Sequence, residues 1–358
     1  MKKLSVKSVR DIGPQLTKNK HEMIGQDGAF SIPLNGNETL FYFGDTLIGE
    51  RAEGESLWYP GGKPVGPKDM SGIGKIKKMI NNTGLILYGN SVENGLINFE
   101  YITDENGNII PLIPLNDDED PDEIRIWCLH GVKLGEKIYL FFIKVRMIEE
   151  GIMPVNFELL GSGMASAKFG DWNFKRIYSN NSDLFWKEDE PKFASAILKS
   201  HLADWLYLYG VIQQNFVQNC YLARVKQSDL ENFNKYEYFC GSENWSKDIR
   251  NAIPVFTGMP NELSVSWNEY LNCYLAVHSL DLTGKIVGRT SETPWGPWSE
   301  PVTLHVVQVD RKTDLPYPVL IYAGKEHPSL SKDNGRKIYI TYIEFEEYYP
   351  HLIEVELD

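Results

Sequence analysis

The sequence predicts an all-β fold, a five-bladed propeller of four-stranded antiparallel blades closed by its N-terminal strand. Three observations carry this. A polar turn followed by a short aromatic and β-branched run occurs five times, as NETLFYFGD, GEKIYLFFI, ADWLYLYGV, YLNCYLAVH and GRKIYITYI, each with the composition and length of a strand. The aligned aromatics are Phe41, Tyr139, Tyr207, Tyr274 and Tyr339, at intervals of 98, 68, 67 and 65 residues. No window of a dozen residues carries a helical period free of Gly or Pro, so at most a turn or two of helix is expected in KIKKMINN or SDLENFN. A unit of this length repeated about an axis, with periodic aromatics, is a propeller blade.

The N-terminal LSVKSVRDI reads as a strand with no partner of its own. The last unit ends at its third strand, LIEVELD, leaving an open edge that the N-terminal strand can cover. In the first unit DGAFSIPL and NETLFYFGD are joined by Asn35-Gly36, the residues a type I′ hairpin turn prefers. The long first interval is explained by an insertion at about 49–124, which holds the Gly/Pro-rich WYPGGKPVGP and the acidic NDDEDPDE.

The later units repeat the pattern. RIWCLHGVKL, KFASAILKS, ELSVSWNEY and HPSLSKDNG are expected as first strands, and SAKFGD, NCYLARVK, KIVGRTSE and LIEVELD as third strands. GDWNFKRIY and TPWGPWSEPVTL supply fourth strands. Five such units and the insertion use up 1–358 as one domain.

Composition narrows the function. With 42% hydrophobic and 24% charged residues the chain belongs to the globular class, not the disordered one. Its net charge of −13 argues against nucleic acid as partner, because phosphate binding needs a basic face. No apolar stretch approaches the roughly 18 to 20 residues of a membrane span, and MKKLSVKSVRDIG has no apolar run of a signal peptide. A cytoplasmic location is expected, or a secreted or periplasmic one if a leader has been removed. Cys128, Cys220, Cys240 and Cys273 lack ligand or framework spacing and read as buried thiols. The acidic run from Asp117 to Glu123 does not match a calcium loop and reads as solvated. Neither a metal nor a cofactor is expected.

Chemistry concentrates in the first unit. Folding at Asn35-Gly36 pairs position 34 with 37 and 27 with 44, which puts Asp27 and Asp45 within one residue of opposition. Opposed strand residues have Cβ atoms about 4.5–5.5 Å apart. Two carboxylates so close favour a state in which one holds a proton, and that asymmetry suits general acid and base work. The alternative is that both acids merely cap turns beside their glycines.

GQDGAFSIPLNGNETLFYFGDTLIG resembles the first blade of the endo-D-arabinanase propeller family, formerly a domain of unknown function. The likeness extends more loosely to SWNEYLNCYLAVHS with RTSETPWGPWSEP, and to HPSLSKDNGRKIYITYI. It implies a glycoside hydrolase whose catalytic carboxylates fall on Asp27 and Asp45, acting on an oligo- or polysaccharide such as an arabinan. Five-bladed arabinases and fructosidases place a general-acid Glu in a middle blade, which makes Glu190 in KEDEP the competing acid. Substrate contacts are expected from Glu262, His327, His278, Arg289, His130 and Trp58, each with a packing or turn-capping role as its alternative. Two rival readings stay open: a carbohydrate-binding propeller without catalysis, and an arabinase- or fructosidase-like enzyme pairing Asp27 with Glu190.

Overall fold

Both faces of Lys137–Ile148 (KIYLFFIKVRMI) are buried, and every residue of Cys273–Ser279 is. A strand of an antiparallel sheet alternates when one face meets water, whereas a near-continuous apolar run demands cover on both sides. The cover comes from neighbouring sheets. In this computed structural model, residues 2–51, 56–59, 76–149, 153, 155–214, 217–259, 261–281, 283–309, 315–318 and 320–358 are described.

Sheet one joins Phe30–Pro33, Glu38–Tyr42, Gly84–Tyr88 and Phe99–Tyr101 in that order. The same chain segments continue past a break into a three-stranded sheet of Met23–Gln26, Thr46–Gly49 and Ile76–Ile80. Sheet two runs Ile124–Leu134, Lys137–Ile148 and Asn156–Lys168, with Lys175–Arg176 and Leu184–Lys187 both on its third strand. Sheet three begins with Lys192–Lys199, Trp205–Gln214 and Val217–Lys226. Sheet four is Leu263–Asn268, Cys273–Ser279, Lys285–Ser291 and Val302–Val306. Sheet five is Ile321–Glu326, Lys337–Glu344 and Pro350–Leu357, with the N-terminal Val6–Pro14 paired antiparallel to its last strand. All pairings are antiparallel, and the helical elements among the described residues are short 3₁₀ turns.

The core is layered between sheets. Ile32, Leu40, Leu140 and Phe142 fill the space between sheets one and two, and Phe141, Phe193 and Leu208 that between two and three. Tyr209, Leu222, Val265 and Tyr274 lie between three and four, Leu275, Val277, Ile338 and Ile353 between four and five. Phe41, Leu85, Tyr339 and Leu352 pack sheet five against sheet one. The five aromatics that mark the sequence repeat all fall on second strands.

Four expectations are corrected. The Asn35-Gly36 turn has three loop residues, because Asn35 Oδ1 takes the N–H of Asn37 and Leu34 N–H bonds the Glu38 carbonyl at 2.9 Å. That moves the register by one, to Phe30 opposite Tyr42. The first strand of sheet five is Ile321–Glu326, whereas HPSLSKDNG forms 3₁₀ turns after it; Pro328 and the Ser, Asp, Asn and Gly that follow are turn formers. KIKKMINN contains the strand Ile76–Ile80. The segment 49–124, set apart as one insertion, contributes three strands to the first two sheets described, while most of WYPGGKPVGP lies outside the described residues.

Within the acidic run, Glu119 is not solvated. It accepts both guanidinium ends of Arg176 at 2.7 Å, Arg176 also reaches Asp183 at 2.8 Å, and Lys144 joins the group. Arg176 and Glu119 side chains are 3% and 7% exposed, so removing one partner leaves uncompensated buried charge. Arg176→Met is expected to cost about 3–5 kcal/mol of stability, read as a lower midpoint in urea denaturation; an unchanged midpoint contradicts it.

Candidate active site

The site grows from the break that divides the first hairpin. Gly28 at φ +87° and Ala29 at +56° turn the first strand out of regular geometry between Gln26 and Phe30. Opposite them, Phe43-Gly44-Asp45 interrupts the second strand. Gly44 N–H donates to the Asp27 carbonyl at 2.9 Å and Asp27 N–H to the Asp45 carbonyl at 3.3 Å. The one-residue change of register therefore sets Asp27 and Asp45 in direct opposition. Glycine is required at 44, where a Cβ would run into the Asp27 carboxylate.

The two acids have different surroundings. Asp27 Oδ2 accepts the Tyr322 hydroxyl at 2.9 Å, and the Tyr348 hydroxyl adds a weaker polar contact. Lys325 Nζ is held beside it by the Gly28 carbonyl and, at 3.1 Å, by that of Ala323, with the ammonium 4.2 Å from the centre of the Phe30 ring. Asp27 retains some open surface although protein surrounds it, as does Glu262, the residue just before the first strand of sheet four. Burial raises Asp27 to about 6, with Tyr322 and the Lys325 charge opposing.

Asp45 is 5% exposed, and its Oδ1 has no hydrogen-bond partner among the described residues. The Trp127 N–H approaches it without reaching hydrogen-bond geometry. Burial raises Asp45 to about 7; the Arg125 charge opposes this and the Asp27 charge adds to it. Arg125 is anchored by the Pro121 and Ile124 carbonyls, and Asn82 ties the same strand down by donating to the Ile126 carbonyl at 3.1 Å. Glu262 is also raised by burial, against the pull of Lys325, and Lys325 is lowered by burial against the pull of Glu262 and Asp27.

The structure brings Glu262, His130 and His327 within reach of the Lys325 charge and sets Glu190, His278, Arg289 and Trp58 apart from it. His130 Nδ1 accepts the Ile197 N–H at 2.8 Å, its ring stacks on Phe30, and burial lowers it to about 4, so it is a neutral bridge between sheets two and three. Glu190 accepts the Lys187 N–H at 2.8 Å and lines a surface cavity with Phe185, Phe233 and Lys247; it is not among the groups that bear on Asp27 or Asp45. His327 ends the first strand of sheet five instead of opening it. Both its nitrogens lie 2.8 Å from hydroxyls, of Ser31 and Thr341, deep between sheets five and one. His278 accepts from Arg289 Nε at 3.2 Å, and Arg289 spends its other donors on the Ser299 and Thr257 carbonyls. Trp58 is 1% exposed, donates to the Phe345 carbonyl at 2.7 Å and stacks on the Phe345 ring. These are packing and bracing roles.

Tyr322, Lys325, Tyr348, Arg125 and Trp127 were not singled out in the sequence. Tyr322 and Lys325 sit in IYAGKE, where Ala323 at φ +55° and the following glycine break the alternation that marks a strand. Ala194 at φ +79° makes the same break in sheet three. Among the described residues no group of His, Cys, Asp and Glu is arranged to hold a metal ion.

A family model described as a domain of unknown function, DUF4185, matches residues 12–354. The chain belongs to the DUF4185 family. No curated protein matches it. Among solved structures, a candidate hydrolase from Bacteroides ovatus is 16% identical with a TM-score of 0.63, over 95% of this chain and 87% of that one. An endo-arabinase from Bacteroides thetaiotaomicron is 9% identical with a TM-score of 0.50, over 95% and 98%. A GH43_1 enzyme from Xanthomonas citri, bound to xylose, is 12% identical with a TM-score of 0.51, over 97% and 90%. At such identities the likeness is one of fold: this DUF4185 chain is all-β and propeller-like. No helix among its described residues is long and apolar enough to cross a membrane.

The Asp45 shift has a consequence for stability. A carboxyl whose folded pKa lies above its unfolded value of about 4 binds its proton more tightly when folded, so stability is lost as pH rises from about 4 through about 7. Asp45→Asn removes that loss. Its melting temperature relative to the native chain is expected to increase between pH 5 and pH 8; an offset that is the same at both contradicts a buried, protonated Asp45.

Proposed function

We propose that the chain is a glycoside hydrolase, a five-bladed propeller whose ring is completed by Val6–Pro14, acting on an arabinan-like glycan with the carboxylate pair Asp27 and Asp45. The observation that carries the reading is the direct opposition of two carboxylates with unequal surroundings. The five apolar layers, the last of them between sheets five and one, support the ring. Glycoside hydrolase folds among the similar structures support the reaction class.

The roles follow from the surroundings. Asp27 has a tyrosine hydroxyl and a nearby ammonium to stabilise its negative charge, which suits a base or nucleophile. Asp45 is dry and short of donors, so it keeps a proton to higher pH and suits the general acid that protonates the leaving oxygen. Glu262, partly open and under the influence of the Asp27 charge, suits accepting a hydrogen bond from a sugar hydroxyl.

On arabino-oligosaccharides, Asp27→Asn and Asp45→Asn are each expected to lower kcat by about 10²–10⁴-fold. The native pH profile should be bell-shaped, rising as Asp27 ionises near 6 and falling as Asp45 loses its proton near 7. Hydrolysis unchanged in both variants overturns the assignment, and saturable glycan binding without turnover by the native chain favours a binding propeller.

A further inference from the structure

Lys325 is the one buried ammonium that bears on Asp27, and it does not lie within ion-pair distance of any carboxylate among the described contacts. It is 2% exposed. Its head group is fixed by backbone: Nζ donates to the carbonyl of Gly28, the residue after Asp27, and to that of Ala323, over the face of Phe30. Substrate does not reach it, so its influence passes through its neighbours. The break at Ala323 and Gly324, where the pairing of sheet five skips from Tyr322 to Lys325, lets Tyr322 and Lys325 both serve Asp27 from one short segment.

We propose that Lys325 is a positioning residue whose ammonium, locked against the Asp27–Gly28 turn, makes Asp27 and not Asp45 the ionised member of the carboxylate pair. The inference rests on the reading of that pair as the working site. An opposite charge within a few ångströms favours the charged form of a carboxyl by about 1–3 pH units. Asp45 has Arg125 instead, but that guanidinium is turned onto the Pro121 and Ile124 carbonyls and leaves Asp45 Oδ1 unpartnered. The charged and titratable groups facing Asp27 are Tyr322, Tyr348, Asp45, Glu262 and Lys325. Lys325 is the single cation among them. Glu262 and Asp27 in turn keep Lys325 protonated in its buried seat, while the nearby His130 and His327 are held neutral by burial and place no competing charge there.

The test reads Asp27 directly, without any glycan. The full chain is labelled with carbon-13 at aspartate carboxyls and titrated by NMR, with Asp27→Asn identifying the resonance. In Lys325→Met the Asp27 midpoint is expected to rise by about one pH unit or more. Lys325→Gln, which is neutral but still carries an N–H donor, should give the same shift, and Lys325→Arg should return it towards the native value. A packing role alone would alter melting temperature without this pattern. An Asp27 midpoint unmoved in both neutral variants overturns the proposal. If the native chain hydrolyses no glycan while the midpoint still moves, the Lys325 assignment stands and the hydrolase reading falls. If hydrolysis occurs, the acidic limb of kcat/KM must move with the NMR midpoint.

Discussion

Everything at the site depends on one backbone constraint, the coincidence of two strand breaks on opposite sides of a hairpin. Register alone sets Asp27 opposite Asp45, since Phe30 faces Tyr42 on one side of the break and Gln26 faces Thr46 on the other; the break changes how the chains bend there. Gly28, Ala29 and Gly44 let the chains bend together, and main-chain hydrogen bonds from Gly44 to Asp27 and from Asp27 to Asp45 hold the two acids level. The glycine without a side chain at 44 leaves the space that the Asp27 carboxylate occupies. The positive φ of Ala29 is strained for a residue with a Cβ, at a cost on the order of 1 kcal/mol. That cost is carried by the apolar layers on both sides of the hairpin.

Two carboxyls held so close in a dry setting oppose folding once both are ionised. The structure resolves this by asymmetry. Donors and a cation gather on Asp27, and Asp45 is left poorly solvated. The same segment, Ile321–Glu326, supplies Tyr322 and Lys325 to the site and, at its end, Glu326, whose carboxylate accepts Ser266 and Ser331 hydroxyls and joins sheets four and five. Site chemistry and sheet assembly are thus carried by the same six residues.

Much of this was legible in the sequence because it is local. The aromatic run of each second strand and the Asp27–Asp45 hairpin follow from short-range pattern, whereas the Val6–Pro14 pairing, to the last strand of the chain, follows from the open edge that the last unit leaves. The hairpin register was missed by one because the Asn35 side chain adds a loop residue that composition does not announce. Interrupted strands were missed for a different reason: in IYAGKE the alternation resets at Ala323, so a strand looks like a turn and its Lys325 like a surface charge. Histidines and the buried tryptophan present the converse case. His327, His278 and Trp58 have the polar reach of ligand-binding groups, and all have protein partners: His327 in sheets one and five, His278 on the next strand of its own sheet, and Trp58 at the Phe345 carbonyl. Glu119 likewise sits in an acidic run and is nevertheless buried, because Arg176 from a later strand returns to meet it.

The most direct test of the account is a crystal structure of the Asp45→Asn variant soaked with an arabino-oligosaccharide. The account predicts a glycosidic oxygen within about 2.6–3.2 Å of the side chain at position 45, with the reacting sugar ring lying against Asp27. A glycan bound elsewhere on the chain, with no sugar against Asp27 and position 45 at saturating concentration, would contradict it.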